Sequence, residues 1–564
     1  MADSRAAFRN LKQDAEVPVL ILGGGVNGAG LFRELALQGV ECLLVDKADF
    51  VAGASSKSSR MIHGGLRYLE SREFKLVRES LLERNRLLDN APHYVTPLKT
   101  TIPLFSWLGG ALHSVLIFLG CDVRPGGRGA LLVKLGLSFY DFVTRKNRRT
   151  PRHFLTGRAK SLRELPGLNP HIKATATYWD AQISEAERLC IEMLQDACSA
   201  NPACRALNYV RPEKVEGGAV VLRDEVTGET ATVRPRIVVN ATGAWVDLAN
   251  AALGLATHFM GGTKGSHLVV DCPELHKTLG DRMVYYEHKD GRVCIAFTFM
   301  GKVLMGSTDL RVDDPDAAHC EEDEIAYMLT TLRGVFPGIE IRREQIAYVF
   351  CGVRPLPASG KGVTAIISRG HSIRVVEPEG ERPFPVFCLI GGKWTTFRAF
   401  AEQVADQILP RLGVERRCST HDLPIGGGGN FPADGHAKEQ WISRLAEESG
   451  ASRERVAALL ARYGTVAEAY LAKADARAES PLKSLPDYTV GEIERIAATE
   501  QVVHLADLLC RRSTIAIRGL ATAPVLGELA DIVGSVLGWA PPRRQAEVAL
   551  ALGEMAVPKL PPAR

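Results

Sequence analysis

Hydrophobic residues change their spacing twice near the start of the chain. Val17–Leu22 is a nearly continuous apolar run, which is typical of a strand buried on both faces of a parallel sheet. Apolar residues then recur at helical spacing over Leu31–Gln38 and stop at Gly39, a residue type that commonly ends helices. A second apolar run, Glu41–Val45, ends at Asp46. This pattern predicts a strand–helix–strand unit.

The spacing of apolar residues divides the rest of the chain into mixed and helical regions. Phe74–Asn90 and Glu185–Ser199 have apolar residues every three or four positions, which predicts helices. Cys204–Val239 and Ser266–Ser307 are rich in strand-forming residues interrupted by turns, which predicts an antiparallel sheet. Ala437–Met555 is rich in alanine, leucine and arginine and predicts a helical domain.

Four consecutive glycines interrupt every periodic pattern in the segment Leu423–Gly435. We predict that this segment is a linker in front of the helical region. A single hydrophobic core stops growing at about 250–300 residues, so we expect a chain of 564 residues to contain more than one domain.

The junction between the first predicted strand and helix carries the motif Gly23-x-Gly25-x-x-Gly28. Gly23 permits a tight turn, Gly25 lets the backbone approach a pyrophosphate, and Gly28 lets helix and strand pack closely. The helix amino terminus favours negative charge, and Asp46 is placed to accept hydrogen bonds from a ribose diol. The unit therefore predicts a dinucleotide site, although the glycines do not distinguish FAD from a nicotinamide.

The stretch SSKSSRMIHGGLRYLE follows this unit and favours a flavin. Its hydroxyl groups can bind phosphate and ribitol oxygens, and they belong to Ser55, Ser56, Ser58 and Ser59. Gly64 and Gly65 leave backbone N–H groups open to a closely placed ring. The alternative is an ordinary serine-rich loop.

Several motifs together resemble the FAD-dependent glycerol-3-phosphate dehydrogenases that reduce quinones. They are LGGGVNGAG, SSKSSRMIHGGLRYLE, KGSHLVV, GSTDL, GVRPL and GGKWTTFR, all in the order of that family, and the carboxy-terminal region also matches it. The resemblance implies an α/β chain of mixed character. Its parts would be a glutathione-reductase-like FAD-binding Rossmann domain, an antiparallel-sheet substrate domain and an all-helical carboxy-terminal domain.

The resemblance also implies how the domains divide the chain. The expected FAD segments are about 17–100, 185–265 and 350–410, the substrate segments about 101–184 and 266–349, the linker 423–435 and the helical domain 436–564. The residues matched to FAD are Gly23, Gly25, Asn27, Gly28, Asp46, Ser55, Ser56, Ser59, His63, Gly64, Gly65, Thr242, Gly243, Gly392 and Lys393.

The implied reaction moves a hydride from carbon 2 of sn-glycerol 3-phosphate to flavin N5, and the electrons then reach a membrane quinone. A dianionic phosphate requires cationic donors. The matched positions are Arg67, Arg354, Arg369 and Lys393, with hydroxyls from Tyr68 and Thr395. His267 is our leading base and His63 its rival, while Arg354 would stabilise either an alkoxide or the charge of the reduced flavin.

Composition and charge limit the partners further. Lys and Arg number 69 and Asp and Glu 65, which lacks the concentrated basic excess of nucleic-acid-binding domains, so we expect no nucleic-acid partner. The 12 cysteines form no CxxC pair and no Cys/His group at metal-ligand spacing. We therefore predict no metal site and a cytoplasmic protein, and we expect a homodimer.

The apolar segment Leu104–Gly120 is too short and too rich in glycine to span a bilayer. It would either lie in the membrane interface on the inner face, with Trp107 at the headgroups, or form a buried helix under the substrate domain. The basic run Arg145–Arg152 would add to docking if it shared that surface.

Some departures from the family pattern leave three further functions open. The loop between Pro355 and Val363 is short, and because it leads towards Arg369, another polyol phosphate, such as a four-carbon one, is a second candidate substrate. The same scaffold could also serve a soluble oxidase that produces peroxide from oxygen. A flavin-containing sensor without turnover is the third possibility.

Overall fold

The predicted strand–helix–strand unit is present in the computed structural model at Ala15–Leu22, Val26–Leu37 and Cys42–Val45. Cys42–Val45 is buried throughout and Ala15–Leu22 from Val19 onwards, and the two strands pair in parallel. The helix is followed by Gly39, whose positive φ of 80° glycine adopts without strain. The structure describes residues 4–11, 15–69, 73–109, 129–287, 292–358, 370–472 and 477–555.

The first sheet surrounds this unit and has eight strands among the described residues. Five of its strands form a parallel array, and the other three join it through antiparallel pairs. The path across the sheet runs through His371–Val376, Val386–Gly391, Thr230–Asn240, Ala15–Leu22, Cys42–Val45 and Arg205–Leu207. Ala219–Asp224 pairs with Thr230–Asn240, and Val210–Glu216 pairs with Ala219–Asp224. The strands predicted within Cys204–Val239 are confirmed.

The second sheet has ten strands among the described residues and is antiparallel except where Arg282–Glu287 pairs with Val95–Leu104. Its remaining strands are Met61–Ile62, Phe154–Gly157, Ala174–Ile183, Thr263–Val270, Val293–Phe299, Lys302–Gly306, Leu310–Arg311 and Ile346–Arg354. The predicted antiparallel sheet is confirmed. Three strands, Val95–Leu104, Thr263–Val270 and Ile346–Arg354, cross the expected segment boundaries and belong wholly to this sheet.

Helices cover the first sheet because their apolar faces share its core. Val26–Leu37 packs between Ala186–Ala200 and Phe397–Leu412, and all three contribute buried residues to the main hydrophobic cluster. The helix predicted at Phe74–Asn90 has those same bounds. The other helices before the carboxy-terminal region are Ser4–Arg9, Ala130–Val143, Arg158–Glu164, Val246–Ala252, Pro273–Leu279 and Glu322–Val335.

The carboxy-terminal region is helical, as predicted. Its helices are Gly435–Ser449, Arg453–Tyr463, Glu468–Leu471, Val490–Thr499, Leu505–Asp507, Ala523–Leu537 and Pro541–Glu554. The glycines that precede it are packed rather than extended into solvent. A Cβ on Gly427 would lie 2.0 Å from the carbonyl oxygen of Tyr463, so only glycine fits this approach.

Buried ion pairs attach the helical region to the loop that follows the second strand. The guanidinium of Arg512 forms two hydrogen bonds of 2.8 Å to the Asp49 carboxylate, and Arg511 donates to the same group. Burial alone would raise the pKa of Asp49, but the charges of Arg512 and Arg511 outweigh it and lower the pKa to about 2. The carboxylate therefore stays charged, and breaking one partner would leave a buried charge unpaired.

Candidate active site

A cavity of about 750 Å³ lies between the two sheets and is lined by residues from both. It gathers most of the predicted site residues: Gly23, Gly25, Asn27, Asp46, Ser55, Ser59, His63, Tyr68, Thr242, Gly243, His267, Arg354, Gly392, Lys393 and Thr395. These residues come from distant parts of the chain, so the fold creates this grouping. The side chain of Arg67 and the whole of Arg369 lie outside the described residues.

Glycines form the end of the cavity beside the first helix. Gly23 has φ of 99°, and a Cβ there would lie 2.8 Å from the carbonyl oxygen of Ala241. A Cβ on Gly28 would lie 1.8 Å from the carbonyl oxygen of Gly23. Gly28 therefore does not line the cavity but allows helix and strand to pack, which is the role that the motif predicts for it.

The same end of the cavity has hydrogen-bonding capacity that the described residues leave unused. The side-chain oxygen of Asn27 is buried without a hydrogen-bond partner among them, although Asn27 lines the cavity. Gly392 has φ of 103°, and a Cβ added to it would lie 3.0 Å from the Asn27 amide nitrogen. An unsatisfied buried acceptor in a cradle of bare backbone fits a bound dinucleotide.

Asp46 lies at the end of the second strand, where a ribose would be bound. Its carboxylate accepts hydrogen bonds from the backbone N–H groups of Gly24, at 2.7 Å, and Ala48, at 3.0 Å. Burial raises the pKa of Asp46 to about 6 despite these two bonds. Hydroxyl donors from a ribose diol would stabilise the charged form, which agrees with the predicted role.

An exposed cluster that the sequence did not reveal joins the two sheets beside this end of the cavity. The Lys47 ammonium lies 2.9 Å from one carboxylate oxygen of Asp316 and over the ring of Trp245, at 4.9 Å from its centre. The Trp245 indole N–H donates to the same carboxylate at 2.8 Å. All three residues line the cavity. Because Asp316 is distant in sequence and has no motif, no sequence signal indicated it.

The serine-rich loop uses much of its hydroxyl capacity to fix its own shape. Ser55 Oγ accepts from the Val26 N–H at 2.9 Å, beside the start of the first helix. Ser56 Oγ donates to the Gly53 carbonyl at 3.1 Å, and Ser56 is not among the described lining residues. Its assignment to FAD therefore gains no support from its placement. Ser58 Oγ accepts from the backbone N–H of Arg60.

The buried carboxylate of Asp180 binds one backbone N–H group of the pair Gly64 and Gly65. The Gly64 N–H donates to Asp180 at 3.1 Å, where Arg84 also binds that carboxylate. This N–H is therefore not open to a ring as expected, because Asp180 is buried and needs donors. Gly65, with φ of 80°, lies against Tyr68, whose ring a Cβ at Gly65 would approach to 2.2 Å.

Lys393 and Thr395 bind the backbone of the same loop. Lys393 Nζ donates to Ser80 Oγ at 2.9 Å and to the His63 carbonyl at 3.2 Å, and it lies 4.7 Å from the centre of the Tyr68 ring. Thr395 Oγ1 accepts from the His63 N–H at 3.2 Å. The structure thus brings His63, Tyr68, Lys393 and Thr395 together, as the resemblance implied.

His267 lies in the wall that the second sheet contributes. Its ring stacks on Phe350 with 4.9 Å between centres, and its Nε2 is 2.7 Å from Ser59 Oγ. Burial, followed by the charges of Arg354 and Arg60, lowers its pKa to about 3. The imidazole is therefore neutral at physiological pH, which a proton acceptor requires.

Arg354 is held in a fixed orientation close to His267. One guanidinium nitrogen binds Asp309 and the Lys264 carbonyl, both at 3.1 Å. The other nitrogen binds Ser307 Oγ at 2.9 Å and the Thr308 carbonyl at 3.0 Å. A planar guanidinium with its donors so engaged has little freedom, and its charge is placed before any substrate arrives.

Behind Arg354 lies a buried carboxylate that sequence analysis did not identify. Glu324 accepts hydrogen bonds from Ser266 Oγ, at 2.9 Å, and from Thr308 Oγ1, at 2.5 Å. Its other oxygen lies 2.9 Å from Lys264 Nζ. The backbone carbonyls of Lys264 and Thr308 also accept hydrogen bonds from Arg354, and Ser266 follows Lys264 by two residues in the same strand. Among the described residues, no group of His, Cys, Asp and Glu could hold a metal ion.

Comparison with known proteins identifies the family. A family model described as FAD dependent oxidoreductase matches residues 18–407. The chain belongs to this family. A second model, described as the C-terminal domain of alpha-glycerophosphate oxidase, matches residues 418–544. FAD is therefore the cofactor of this chain.

Two relatives of this FAD-dependent oxidoreductase are named for their activities. The glycerol-3-phosphate dehydrogenase of Synechocystis sp. is 32% identical over 89% of this chain and 89% of its own. The D-erythritol 1-phosphate dehydrogenase of Brucella abortus is 33% identical over 74% of this chain and 78% of its own. The resemblance found in the motifs is confirmed.

A solved structure supports the fold. The glycerol-3-phosphate dehydrogenase of Bacillus halodurans, complexed with FAD, superposes with a TM-score of 0.74 over 98% of this chain and 97% of that chain, at 22% identity. The expected FAD-binding and antiparallel-sheet architecture with a helical carboxy-terminal domain is therefore confirmed for this oxidoreductase.

Proposed function

We propose that this chain oxidises sn-glycerol 3-phosphate to dihydroxyacetone phosphate and passes the electrons to a membrane quinone. The observation that carries the proposal is one cavity in which a dinucleotide cradle meets the cations of Arg354 and Lys393 and the neutral imidazole of His267. The activities for which the Synechocystis and Bacillus relatives are named agree with it. When bound, FAD supplies the acceptor for the hydride that leaves carbon 2.

The residues of the second sheet would bind and polarise the substrate hydroxyl. Arg354 is oriented by Asp309 and three further acceptors, so its positive charge lies ready for an oxygen that becomes negative. Lys393, with its ammonium beside Tyr68, would bind phosphate or the second hydroxyl. Arg67 and Arg369 are proposed phosphate ligands on the resemblance alone. His267 would accept the proton.

An exposed apolar surface supports contact with a membrane. On the helix Ala130–Val143, Leu135 is 61% exposed and Phe142 58%, while the opposite side of the helix is buried. The preceding turn adds Trp107, which is 57% exposed and whose carbonyl accepts from the helix start. Arg145 lies on the Phe142 ring, 4.3 Å from its centre. Aromatic, aliphatic and basic side chains at one surface suit anionic headgroups.

The proposed membrane contact concerns docking rather than crossing. None of the helices in the described part of the chain is long and apolar enough to cross a bilayer. Of the apolar segment Leu104–Gly120, residues 110–120 lie outside the described residues, so the choice between its two interpretations rests on the neighbouring surface. The cytoplasmic location and the homodimer stay predictions.

Anaerobic titration of the flavin tests the substrate. Glycerol 3-phosphate should bleach the flavin absorbance of the purified protein, whereas no bleaching by any polyol phosphate would contradict the proposal. A four-carbon polyol phosphate is the second candidate, because the Brucella relative is named for one. Reduction by erythritol phosphate at a much higher rate would assign that substrate instead.

A two-acceptor assay tests the electron acceptor. With glycerol 3-phosphate present, a quinone analogue should be reduced and little peroxide formed from oxygen.

Vesicle binding tests the proposed membrane surface: Leu135→Glu should weaken co-sedimentation with phosphatidylglycerol vesicles. Leu550→Glu, at an exposed leucine of the helix Pro541–Glu554, is the matched control and should bind vesicles normally. Equal binding by both variants would contradict the assigned surface.

A further inference from the structure

The imidazole of His267 is enclosed by protein on several sides. Phe350 covers one face, and the Cδ2 edge lies against Gly306, where an added Cβ would come within 2.4 Å of it. Nδ1 is buried and has no hydrogen-bond partner among the described residues. Nε2 is the one ring nitrogen with a partner in that part of the chain, the hydroxyl of Ser59 at 2.7 Å. A substrate hydroxyl would therefore have to displace Ser59 to reach Nε2 directly.

Ser59 is held in place by its neighbour in the chain. Arg60 binds the Glu187 carboxylate through both terminal nitrogens, at 2.6 and 2.5 Å, and donates to the Ser56 carbonyl at 3.1 Å. Both Arg60 and Glu187 are buried. A bidentate pair of this kind fixes geometry as well as charge. Ser59 lines the cavity beside His267, and its hydroxyl occupies the hydrogen-bonding position at Nε2 of that ring.

We infer that Ser59 is a catalytic residue that relays the substrate proton to His267. The inference rests on the proposed function, since it needs an alcohol substrate. The O–H bond of the substrate breaks and its proton binds Ser59 Oγ, while the proton of Ser59 binds His267 Nε2. As the C=O bond forms, the C–H bond of carbon 2 breaks and its two electrons leave as hydride, for which bound FAD would be the acceptor. His267 thus gains one proton and the serine is unchanged.

The surroundings of the pair keep the ring neutral until substrate binds. Nε2 must have a free lone pair to accept from Ser59, and burial, followed by the charges of Arg354 and Arg60, lowers the pKa of His267 to about 3. A dianionic phosphate in the cavity offsets these charges and makes the imidazolium less costly. The resemblance instead assigned Ser59 to FAD, and the two roles predict different losses.

The experiment compares Ser59→Ala with Ser59→Thr and with Ser184→Ala. Ser184 is a partly buried serine bonded to the Tyr94 carbonyl, at 3.3 Å, outside the described cavity lining. We expect Ser59→Ala to keep its flavin and its affinity for dihydroxyacetone phosphate, measured by perturbation of the flavin spectrum. Its anaerobic flavin reduction should slow by about 10²-fold, the usual contribution of a proton-transfer group. Ser59→Thr should recover much of the rate, and Ser184→Ala should match the wild type.

A double-mutant cycle with His267→Gln separates a relay from two independent roles. If the proton passes through both groups, the double variant should be no slower than the slower single variant. Additive losses would overturn the relay, and so would loss of FAD from Ser59→Ala. An unchanged reduction rate in Ser59→Ala would overturn the relay alone. A wild-type flavin that no polyol phosphate reduces would overturn the proposed function and the relay together.

Discussion

The two walls of the cavity are built on different principles. The wall from the first sheet presents backbone, with glycines at the points of closest approach, such as Gly23 and Gly392. The wall from the second sheet presents charges that are each held by a partner, as Asp309 holds Arg354. A cofactor that stays bound needs close packing, whereas developing charge needs oriented dipoles and ions.

The walls also differ in how far apart their partners are in sequence. In the first wall, Gly24 and Asp46 are 22 residues apart, within one strand–helix–strand unit. In the second, Ser59 and His267 are 208 residues apart. Local motifs therefore specify the cofactor wall, whereas the catalytic wall depends on how strands that are distant in sequence pair with one another.

Breaking the first wall should have the largest effect. Gly28→Val would place its Cβ 1.8 Å from the Gly23 carbonyl oxygen, and the helix would have to move. Overpacking of this kind costs about 1–3 kcal/mol and sometimes more, so we expect a lower melting temperature and loss of bound flavin. The matched control is Gly527→Val in the helix Ala523–Leu537, where an added Cβ meets nothing within 4 Å. If the Gly28 variant retains its flavin, the close packing of helix and strand at this position is not required for FAD binding.

Removing the fixed cation of the second wall should have the next largest effect. Arg354→Ala should retain FAD but lose about 10²- to 10³-fold in turnover, since a preoriented donor to developing charge is removed. Arg354→Lys should recover little, because an ammonium cannot reproduce the four hydrogen bonds of the guanidinium. For each variant, the turnover number measures the loss of catalysis and the flavin content measures whether FAD is retained. Normal rates in Arg354→Ala would remove it from the site.

The support behind Arg354 should have a smaller effect that depends on pH. Glu324→Gln removes the charge that binds Lys264, and we expect about tenfold lower kcat/KM and lower stability at pH 7. Burial raises the pKa of Glu324, but hydrogen bonds and Lys264 outweigh it and lower the pKa below its ordinary value. A carboxyl with a lowered pKa stabilises the fold above its unfolded pKa and loses that contribution as pH falls.

The stability difference between wild type and Glu324→Gln should therefore hold from pH 7 down to the unfolded pKa of about 4.3 and shrink as the pH falls below it, as measured by urea unfolding. Glu321→Gln is the control, because Glu321 also binds Lys264 at 2.9 Å but is 53% exposed. An exposed pair contributes about 0–1 kcal/mol, so this variant should behave like the wild type. Equal losses in both variants would contradict the assigned support.

The smallest effect should come from the exposed cluster that joins the walls. Lys47→Ala removes an ion pair with Asp316 whose side chains are largely solvent-exposed. We expect FAD affinity to fall by less than about threefold, and the difference to vanish at high salt. Flavin release measured at low and high ionic strength tests this. A large loss that persists in salt would show that the cluster closes the cavity.

The strand–helix–strand unit and the glycine motif could be predicted because their signals are local. The turn at Gly23, the close approach at Gly28 and the acid at Asp46 all depend on residues within one short unit. The cations of the second wall were found only through resemblance to a family, since an arginine or lysine carries no local sign of its surroundings.

The sequence by itself therefore determined the fold class and the cofactor, and most of the site residues that it predicted line the cavity. Only the tertiary structure decided which of them are held by a partner: Asp309 on Arg354, Asp180 on the Gly64 N–H, and Ser59 on His267. The physical reason is that a buried polar group must find its partner in space, and the strands of the second sheet bring together residues that no periodicity connects.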